Sequence, residues 1–333
     1  MAYTEFGVND ANTVKLWSKM VTAAEREYLD IKPLMGETPN SIIFVQKDLQ
    51  EKRGDRVTFN LRKRLSGDGK TEGETAEGNG EALSFFKDDL IINELLHVVG
   101  NSGVDSIEQQ RVQFDLREQG KEALGEWWAE RTSAWFFNQV CGYTPQSNTK
   151  YTGLNSVIAA SSGRIIRPNG RTTDQSIDSN DPFTLDLIDH AVTLAKIGSN
   201  RIRPVKIGGK PKWVMSLHPA QVEDLRTNSA SGQWQAIRQA AMQGGDVSEN
   251  DIYTGALGEH NSVILRESQD VTLGVSSASS TTSVANVRRA VLLGAQAAIM
   301  ANKRYKNGEL VKWNEEQFDH GRKVEMSAFK IAG

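Results

Sequence analysis

The 333 residues carry 39 basic and 42 acidic side chains, a net charge of −3, with 38% hydrophobic content. That balance excludes nucleic-acid binding driven by overall charge, and no run of about 18 apolar residues exists to form a membrane-spanning helix. One cysteine, Cys141, excludes an intrachain disulfide and any multi-cysteine metal site, and the opening MAYTEFGVND lacks the basic-then-apolar pattern of a signal peptide.

Residues 1–50 read as an arm. Val14, Trp17, Met20, Val21, Ala24 and Tyr28 fall at helical spacing over Asn12–Tyr28, the proline- and glycine-bearing LDIKPLMGETPN should be extended, and SIIFV (41–45) reads as a short strand. One amphipathic helix cannot bury its apolar face alone, so the arm must dock on something.

Residues 51–100 predict a long β-hairpin. Val57, Phe59 and Leu61 alternate with Arg56, Thr58, Asn60 and Arg62, which marks a half-buried strand, and Leu83–Val99 supplies a second strand-like run. Between them GDGKTEGETAEGNGEA has five glycines and no large apolar residue, as expected of a polar tip. The limbs differ in charge. Residues 52–64 hold Lys52, Arg53, Arg56, Arg62, Lys63 and Arg64 against Asp55, whereas 67–81 hold Asp68, Glu72, Glu74, Glu77 and Glu81 against Lys70. A lone hairpin is marginal in water, so this one should lie on a neighbour.

Ser106–Cys141 predicts one long helix, around which the rest is organised. Ser106 with Gln109 has capping-box spacing, and Gly142 offers a left-handed cap with Pro145 soon after. The first half has a narrow apolar stripe of Ile107, Phe114 and Leu116. The second half is apolar on two faces, one with Leu124, Trp128 and Trp135, the other with Ala123, Trp127, Ala134, Phe137 and Cys141. Such a helix spans a fold as a spine or lies between layers or subunits, although an ordinary buried enzyme helix fits the same periodicity. Gly120 and Gly125 are tolerable inside it where something packs closely. The polar first half is expected near the hairpin root.

Residues 143–180 should be mostly loop, and Asp181-Pro182 should open a helix running to Gly198. Strands are predicted at 213–217 and 262–265, helices at 219–226 and 233–242, a strand or strand–helix junction at 290–300, and strands at 310–313 and 323–331. The fold class is α+β, with a compact domain at about 180–300 and a second one built from the long helix, the C-terminal strands and the hairpin.

Motifs for catalysis are missing. Gly69-Lys70-Thr71 resembles the end of a phosphate-binding loop, but Arg64 stands where that pattern needs glycine. Gly274-Val275-Ser276-Ser277-Ala278 misses the last glycine of a nucleophile elbow. The five histidines, His97, His190, His218, His260 and His320, show no ligand spacing, and Cys141 reads as a buried thiol. Asp88, Asp89 and Glu94 read as solvated. The clusters Arg164/Arg167/Arg171 and Arg201/Arg203/Lys206/Lys210/Lys212 read as solvated loops that could also meet phosphate or an acidic partner. No catalytic residue, cofactor or metal is expected.

KPLMGETPNSIIFVQKDLQEKRGDRVTFNLRKRLSGDG, GNGEALSFFKDDLIINELLHVV, FDLREQGKEALGEWWAERTSAWFFNQVCG, DPFTLDLIDHAV and RPVKIGGKPKWVMSLHPAQVEDLR resemble the phage capsid-like protein family, the major capsid proteins of N-four-like and related tailed phages. The resemblance implies a Hong Kong 97-like fold: N-terminal arm (1–50), extended loop (51–100), peripheral domain with spine helix 106–141 and following loops (101–180), axial domain (181–300), and C-terminal strands returning to the peripheral domain (301–333). It implies self-assembly as hexamers and pentamers into an icosahedral head enclosing double-stranded DNA without sequence specificity. Assembly would take place in the host bacterial cytoplasm, with the protein then part of the virion. The short arm before the family blocks implies a separate scaffolding protein; a portal and a decoration protein are further expected partners, and a membrane is not. The hypothesised assembly interface is Arg56, Arg62, Lys63, Arg64, Asp68, Lys70, Glu72, Glu74 and Glu77, and the spine-helix core is Leu124, Trp127, Trp128, Trp135 and Phe137. Two alternatives remain open: an encapsulin-like cellular compartment shell, and a soluble α+β hydrolase or nucleotide-binding enzyme.

Overall fold

The computed structural model describes residues 11–46, 56–63, 65–102, 107–198, 201–227, 256–305, 309–320 and 322–333. In chain order it runs through α1 (Ala11–Tyr28), β1 (Met35–Gly36), β2 (Ile43–Gln46), β3 (Arg56–Arg62), β4 (Phe85–Ile91) and β5 (Asn93–Ser102). Then come α2 (Ile107–Arg111), α3 (Leu116–Val140), α4 (Thr149–Thr152), α5 (Leu185–Ile197), β6 (Val205–Ile207), β7 (Lys210–Leu217) and α6 (Pro219–Thr227). The chain closes with β8 (Ala256–His260), β9 (Val263–Glu267), β10 (Leu273–Val275), β11 (Ser283–Arg288), β12 (Val291–Leu293), β13 (Ala298–Ala301), β14 (Lys312–Phe318) and β15 (Lys323–Ala332). The expected helix at 233–242 lies outside the described residues, as do Ser106, Lys52, Arg53 and Arg64.

The class is α+β, but the long helix is not continuous. The chain leaves helical geometry after Arg111 and re-enters at Leu116. Asp115 is the working N-cap: it is extended, and its carboxylate accepts from the Arg117 N–H. Gln109 spans the break, donating to the Phe114 carbonyl at 2.8 Å and accepting from the Leu116 N–H at 3.0 Å. The side chain expected in a capping box thus braces a corner instead. At the far end Gly142 takes φ 60°. A Cβ there would sit 2.9 Å from the Ile158 carbonyl oxygen, so the cap needs glycine for space as well as for backbone geometry.

α3 crosses two cores in succession. Its first half enters a cluster in which Leu124 and Trp128 pack with Val21, Val311, Trp313, Val324, Met326 and Ala328, with Trp127 and Trp135 partly buried against it. Its second half, through Ala129, Phe136, Phe137 and Cys141, enters a cluster with Ile31, Leu34, Ile43, Val214, Ile264 and Leu293. Burial pushes the Cys141 thiol pKa up, which suits packing rather than nucleophilic chemistry. Ala123, assigned by spacing to an apolar face, is exposed.

The first cluster lies between α3 and the antiparallel sheet β14-β15-β5. Strand β15 alternates Val324, Met326, Ala328, Lys330 and Ala332 inward. The arm closes the cluster from the other side. Gly125 is where α1 meets α3: a Cβ there would fall 2.5 Å from the Ala24 Cβ. Ser18 and Thr22 accept backbone N–H groups from Trp313 and Val311, so α1 also guides the entry of β14. The arm's extended end is built into the body, with β2 between β1 and β13, parallel to both.

The other unit is a sheet ordered β12-β7-β9-β8, with β6 also paired to β7. Strand β7 buries both faces: Trp213, Met215 and Leu217 point to α5 and α6 with Ile188, Val192, Val222 and Leu225, while Val214 points into the α3 cluster. The helix expected from Asp181-Pro182 starts only at Leu185. Asp181 does not cap it; its carboxylate is held by Asn169, Arg171 and the Asp178 N–H. The 290–300 stretch is two strands, β12 on β7 and β13 on β2.

Candidate assembly surface

The hairpin is shorter than its apolar pattern suggested. β3 pairs with β4 from Arg56↔Ile91 to Arg62↔Phe85. β5 then leaves the ribbon and pairs along its length with β15, from Asn93↔Ala332 to Ser102↔Lys323. Residues 83–99 therefore serve two sheets, and the change of partner falls at Ile92. Asn155 sets it. Its side-chain amide accepts from the Ile91 N–H and donates to the Ile91 carbonyl, each at 2.9 Å, occupying the backbone groups a further strand would use. Gln139 of α3 holds that loop in turn, donating to the Thr152 and Asn155 carbonyls. The ribbon root therefore sits at the C-terminal end of α3, not beside the polar first half.

Register sorts the ribbon into two faces. Val57, Phe59 and Leu61 lie opposite Leu90, Asp88 and Phe86; Arg56, Thr58, Asn60 and Arg62 lie opposite Ile91, Asp89, Lys87 and Phe85. The first face is largely apolar, yet Phe86 is 60% exposed and Val57 and Phe59 are only partly buried. Leu83 at 57% and Phe85 at 49% add to the exposed apolar surface. Two strands alone cannot bury such a face.

The other face carries loose polar contacts. Arg56 lies 3.9 Å from Asp89 with both side chains exposed, and Thr58 donates to Asp89 at 2.6 Å. On the apolar face, the Lys63 ammonium lies 4.2 Å from the centroid of the Phe86 ring. Arg62 is exposed and has no ionic partner among the described residues. At the tip, Glu81 accepts from the Ser66 and Gly67 N–H groups at 2.8 Å each, and those bonds hold its carboxyl below the usual range. Asp68, Lys70, Glu72, Glu74 and Glu77 are all exposed around this closure. Thr71 and Glu74 form a local turn, and no helix follows Lys70 to cradle a phosphate.

Of the two basic clusters marked in the sequence, Arg167, Arg171 and Lys212 meet acids of their own chain. Arg167 and Arg289 flank Asp174, Arg171 reaches Asp178 and Asp181, and Lys212 meets Glu259 at 2.6 Å. Burial works against the charge of Asp174, but hydrogen bonds from Arg289, the Val275 N–H and Arg167 outweigh it and hold the carboxyl below its ordinary value. This is structural cross-bracing between the 165–176 loops and β10. His260 pairs with Asp189 at 3.0 Å, and His97 stacks on Trp127 with centroids 4.3 Å apart. Among the described residues no three His, Cys, Asp or Glu side chains group as a metal site would require.

Sequence spacing missed one further surface, a cleft of about 770 Å³ on the flank of α3. Asp30, Glu130, Glu267 and Asp270 line it, with Arg131 the one cation among the described lining residues. Burial of its carboxyl, with Asp30 and Glu130 nearby, raises the pKa of Asp270.

The family model for phage capsid protein matches residues 5–333. Over a 362-residue alignment the chain is 24% identical to the major capsid protein of Pseudomonas phage KPP25, spanning 99% of this chain and 91% of that protein. The capsid of Ralstonia phage GP4 aligns with all of this chain and 90% of its own, at 25% identity and a TM-score of 0.80. The cyanophage Pam1 capsid shares the fold at 19% identity and a TM-score of 0.66, covering 100% of this chain and 89% of that one.

Proposed function

This chain belongs to the phage capsid protein family, and from that premise we propose that its copies assemble as hexamers and pentamers into the icosahedral head shell of a tailed phage, around double-stranded DNA. The observation that carries the reading is the family match, which leaves only the first four residues uncovered. Physical chemistry supports it. A ribbon with an uncovered apolar face has little reason to project from a monomer, but in a shell a neighbouring copy would cover it. In this reading residues 1–50 are the arm, the ribbon 56–91 is the extended loop, α3 with β5, β14 and β15 forms the peripheral domain, and the β7 sheet with α5 and α6 forms the axial domain.

The residues put forward for intersubunit contact are those of the ribbon: Arg56, Arg62, Lys63 and Arg64 on the basic limb, and Asp68, Lys70, Glu72, Glu74 and Glu77 at the tip. With a net charge of −3 the shell would enclose DNA as content, not read its sequence. A scaffolding protein, a portal and a decoration protein are proposed as partners, with assembly in the host cytoplasm. The test is to purify heads from infected cells, identify the most abundant shell protein by mass spectrometry, and image the particles. The expected result is this chain as the principal component of closed, DNA-filled shells. Its absence from the particles, with the protein recovered as a monodisperse monomer, would overturn the reading.

A further inference from the structure

One stretch of the chain is one-sided in charge. Residues 196–212 hold Lys196, Arg201, Arg203, Lys206, Lys210 and Lys212 and no acid, in a chain whose net charge is −3. The subunit neutralises little of this. Lys212 meets Glu259 at 2.6 Å, and the Lys196 ammonium lies 5.4 Å from the Trp213 ring centroid. Arg201, Arg203, Lys206 and Lys210 are exposed and form no ion pair among the described residues. Like charges held this close repel one another, a cost that a polyanion laid over them would offset.

The backbone beneath these cations is braced. β6 and β7 form a hairpin turned by Gly208 and Gly209, both at positive φ, and Val205 and Ile207 of β6 are buried. Asn40 holds both backbone groups of Lys206, donating to its carbonyl and accepting from its N–H at 2.8 Å each. The Ala295 N–H donates to the Arg203 carbonyl at 2.8 Å, and the Ile202 N–H donates to the Ala195 carbonyl at 3.0 Å. The four cations are thus carried on a fixed hairpin and the segment that leads into it.

Their arrangement suits a long polyanion. They are spread along the chain, with Arg203 and Lys206 about 10 Å apart at strand rise. Duplex DNA presents a phosphate charge for about every 1.7 Å of its axis, so spaced cations each find one. A Cβ at Gly208 or Gly209 would meet nothing within 4 Å, so the tip is open to the approach of a phosphate backbone. A single strand would call for exposed rings to stack on, and Trp213 is 4% exposed. A protein partner would call for an apolar centre, and Ile197 is the one large apolar side chain strongly exposed on this stretch among the described residues.

We propose that the β6–β7 hairpin faces the interior of the shell, where Arg201, Arg203, Lys206 and Lys210 contact phosphates of the enclosed double-stranded DNA without reading its sequence. The assignment rests on the reading of the chain as a shell subunit and adds to it which face turns inward.

Two measurements test it. Dissociated full-length subunits are titrated onto a short random-sequence duplex and followed by fluorescence anisotropy. Four phosphate contacts predict an affinity that falls about a hundredfold between 50 and 200 mM salt. Arg201→Gln with Arg203→Gln, Lys206→Gln and Lys210→Gln should weaken binding about tenfold or more at 50 mM salt and remove most of the salt dependence, while the melting temperature is kept. A parent chain that does not bind, or a variant that binds as the parent does, would overturn the proposal. Intact DNA-filled heads are then treated with an amine reagent too bulky to cross the shell. Lys206 and Lys210 should stay unmodified, and should react once the heads are opened and the DNA digested. Modification of either lysine in intact heads would place the hairpin outside. Protection that survives digestion, with carbodiimide coupling of either lysine to a carboxylate of another protein, would make the partner an acidic protein. Either result overturns the assignment and leaves the shell reading standing. Heads that lack this chain would overturn both.

Discussion

Replacing Lys330 by methionine should destabilise the subunit by about 3–5 kcal/mol, the cost of leaving a buried charge unpaired. Lys330 lies on β15 and its ammonium sits 2.5 Å from Glu25 of α1; their side chains are 1% and 2% exposed. Thr132 of α3 donates to the same carboxylate oxygen at 3.2 Å, and the Trp128 ring lies 5.7 Å from the ammonium. Arm, spine and C-terminal strand thus meet at one ion pair. Its second carboxylate oxygen has no protein hydrogen bond, so the pair is held by charge more than by a complete polar network. Removing the ammonium strands an ionised Glu25 in an apolar cluster. Removing both charges, as Glu25→Leu with Lys330→Met, substitutes apolar packing and should leave stability within about 1–2 kcal/mol of the parent chain. Urea unfolding of dissociated full-length subunits, followed by tryptophan fluorescence, gives the cycle directly. If either single variant costs less than about 1 kcal/mol, or if the double costs the sum of the singles, the pair is not coupled as described.

Trp128→Ala removes a ring with no solvent exposure at the centre of the β15 cluster and should cost about 3–5 kcal/mol in the same assay; a loss below about 1 kcal/mol would show that the ring is not core. Gly125→Ala ought to gain about 1 kcal/mol of helix propensity. The overlap with Ala24 outweighs this, so a net loss is expected, which Ala24→Gly should recover. Asp270→Asn should stabilise the unassembled subunit near neutral pH. The sign follows from the raised pKa: the ionised form is penalised above the folded pKa, and the penalty disappears as pH falls below the unfolded value of about 3.9. Thermal melts at pH 7 and pH 3.5 check this, and an advantage for the variant at both values would contradict it.

Features written in local patterns were legible. The periodicity of α1, the alternation of β3, and Gly142 ending the spine each reflect a rule acting within a few residues. Features decided at long range were not. The Ser106/Gln109 spacing imitates a cap, while the true cap, Asp115, stands in a polar stretch where one more acid draws no notice. Leu83–Val99 reads as one apolar run, and only Asn155, 64 residues beyond Ile91, divides it between two sheets. Asp181-Pro182 has the form of a helix start, but Asn169 and Arg171 claim the carboxylate first. The acidic cleft gave no signal at all, since its carboxylates come from the turn after α1, the middle of α3, the last residue of β9 and the turn that follows it. The ribbon's charge asymmetry was plain in the sequence; what it faces was not.

The most direct measurement is an icosahedral reconstruction of the assembled particle at side-chain resolution. The expected result is a closed shell of this chain, with the ribbon of each copy covered by an adjacent subunit. A shell in which the ribbon folds back onto its own subunit, or stands in solvent with its apolar face bare, would contradict it.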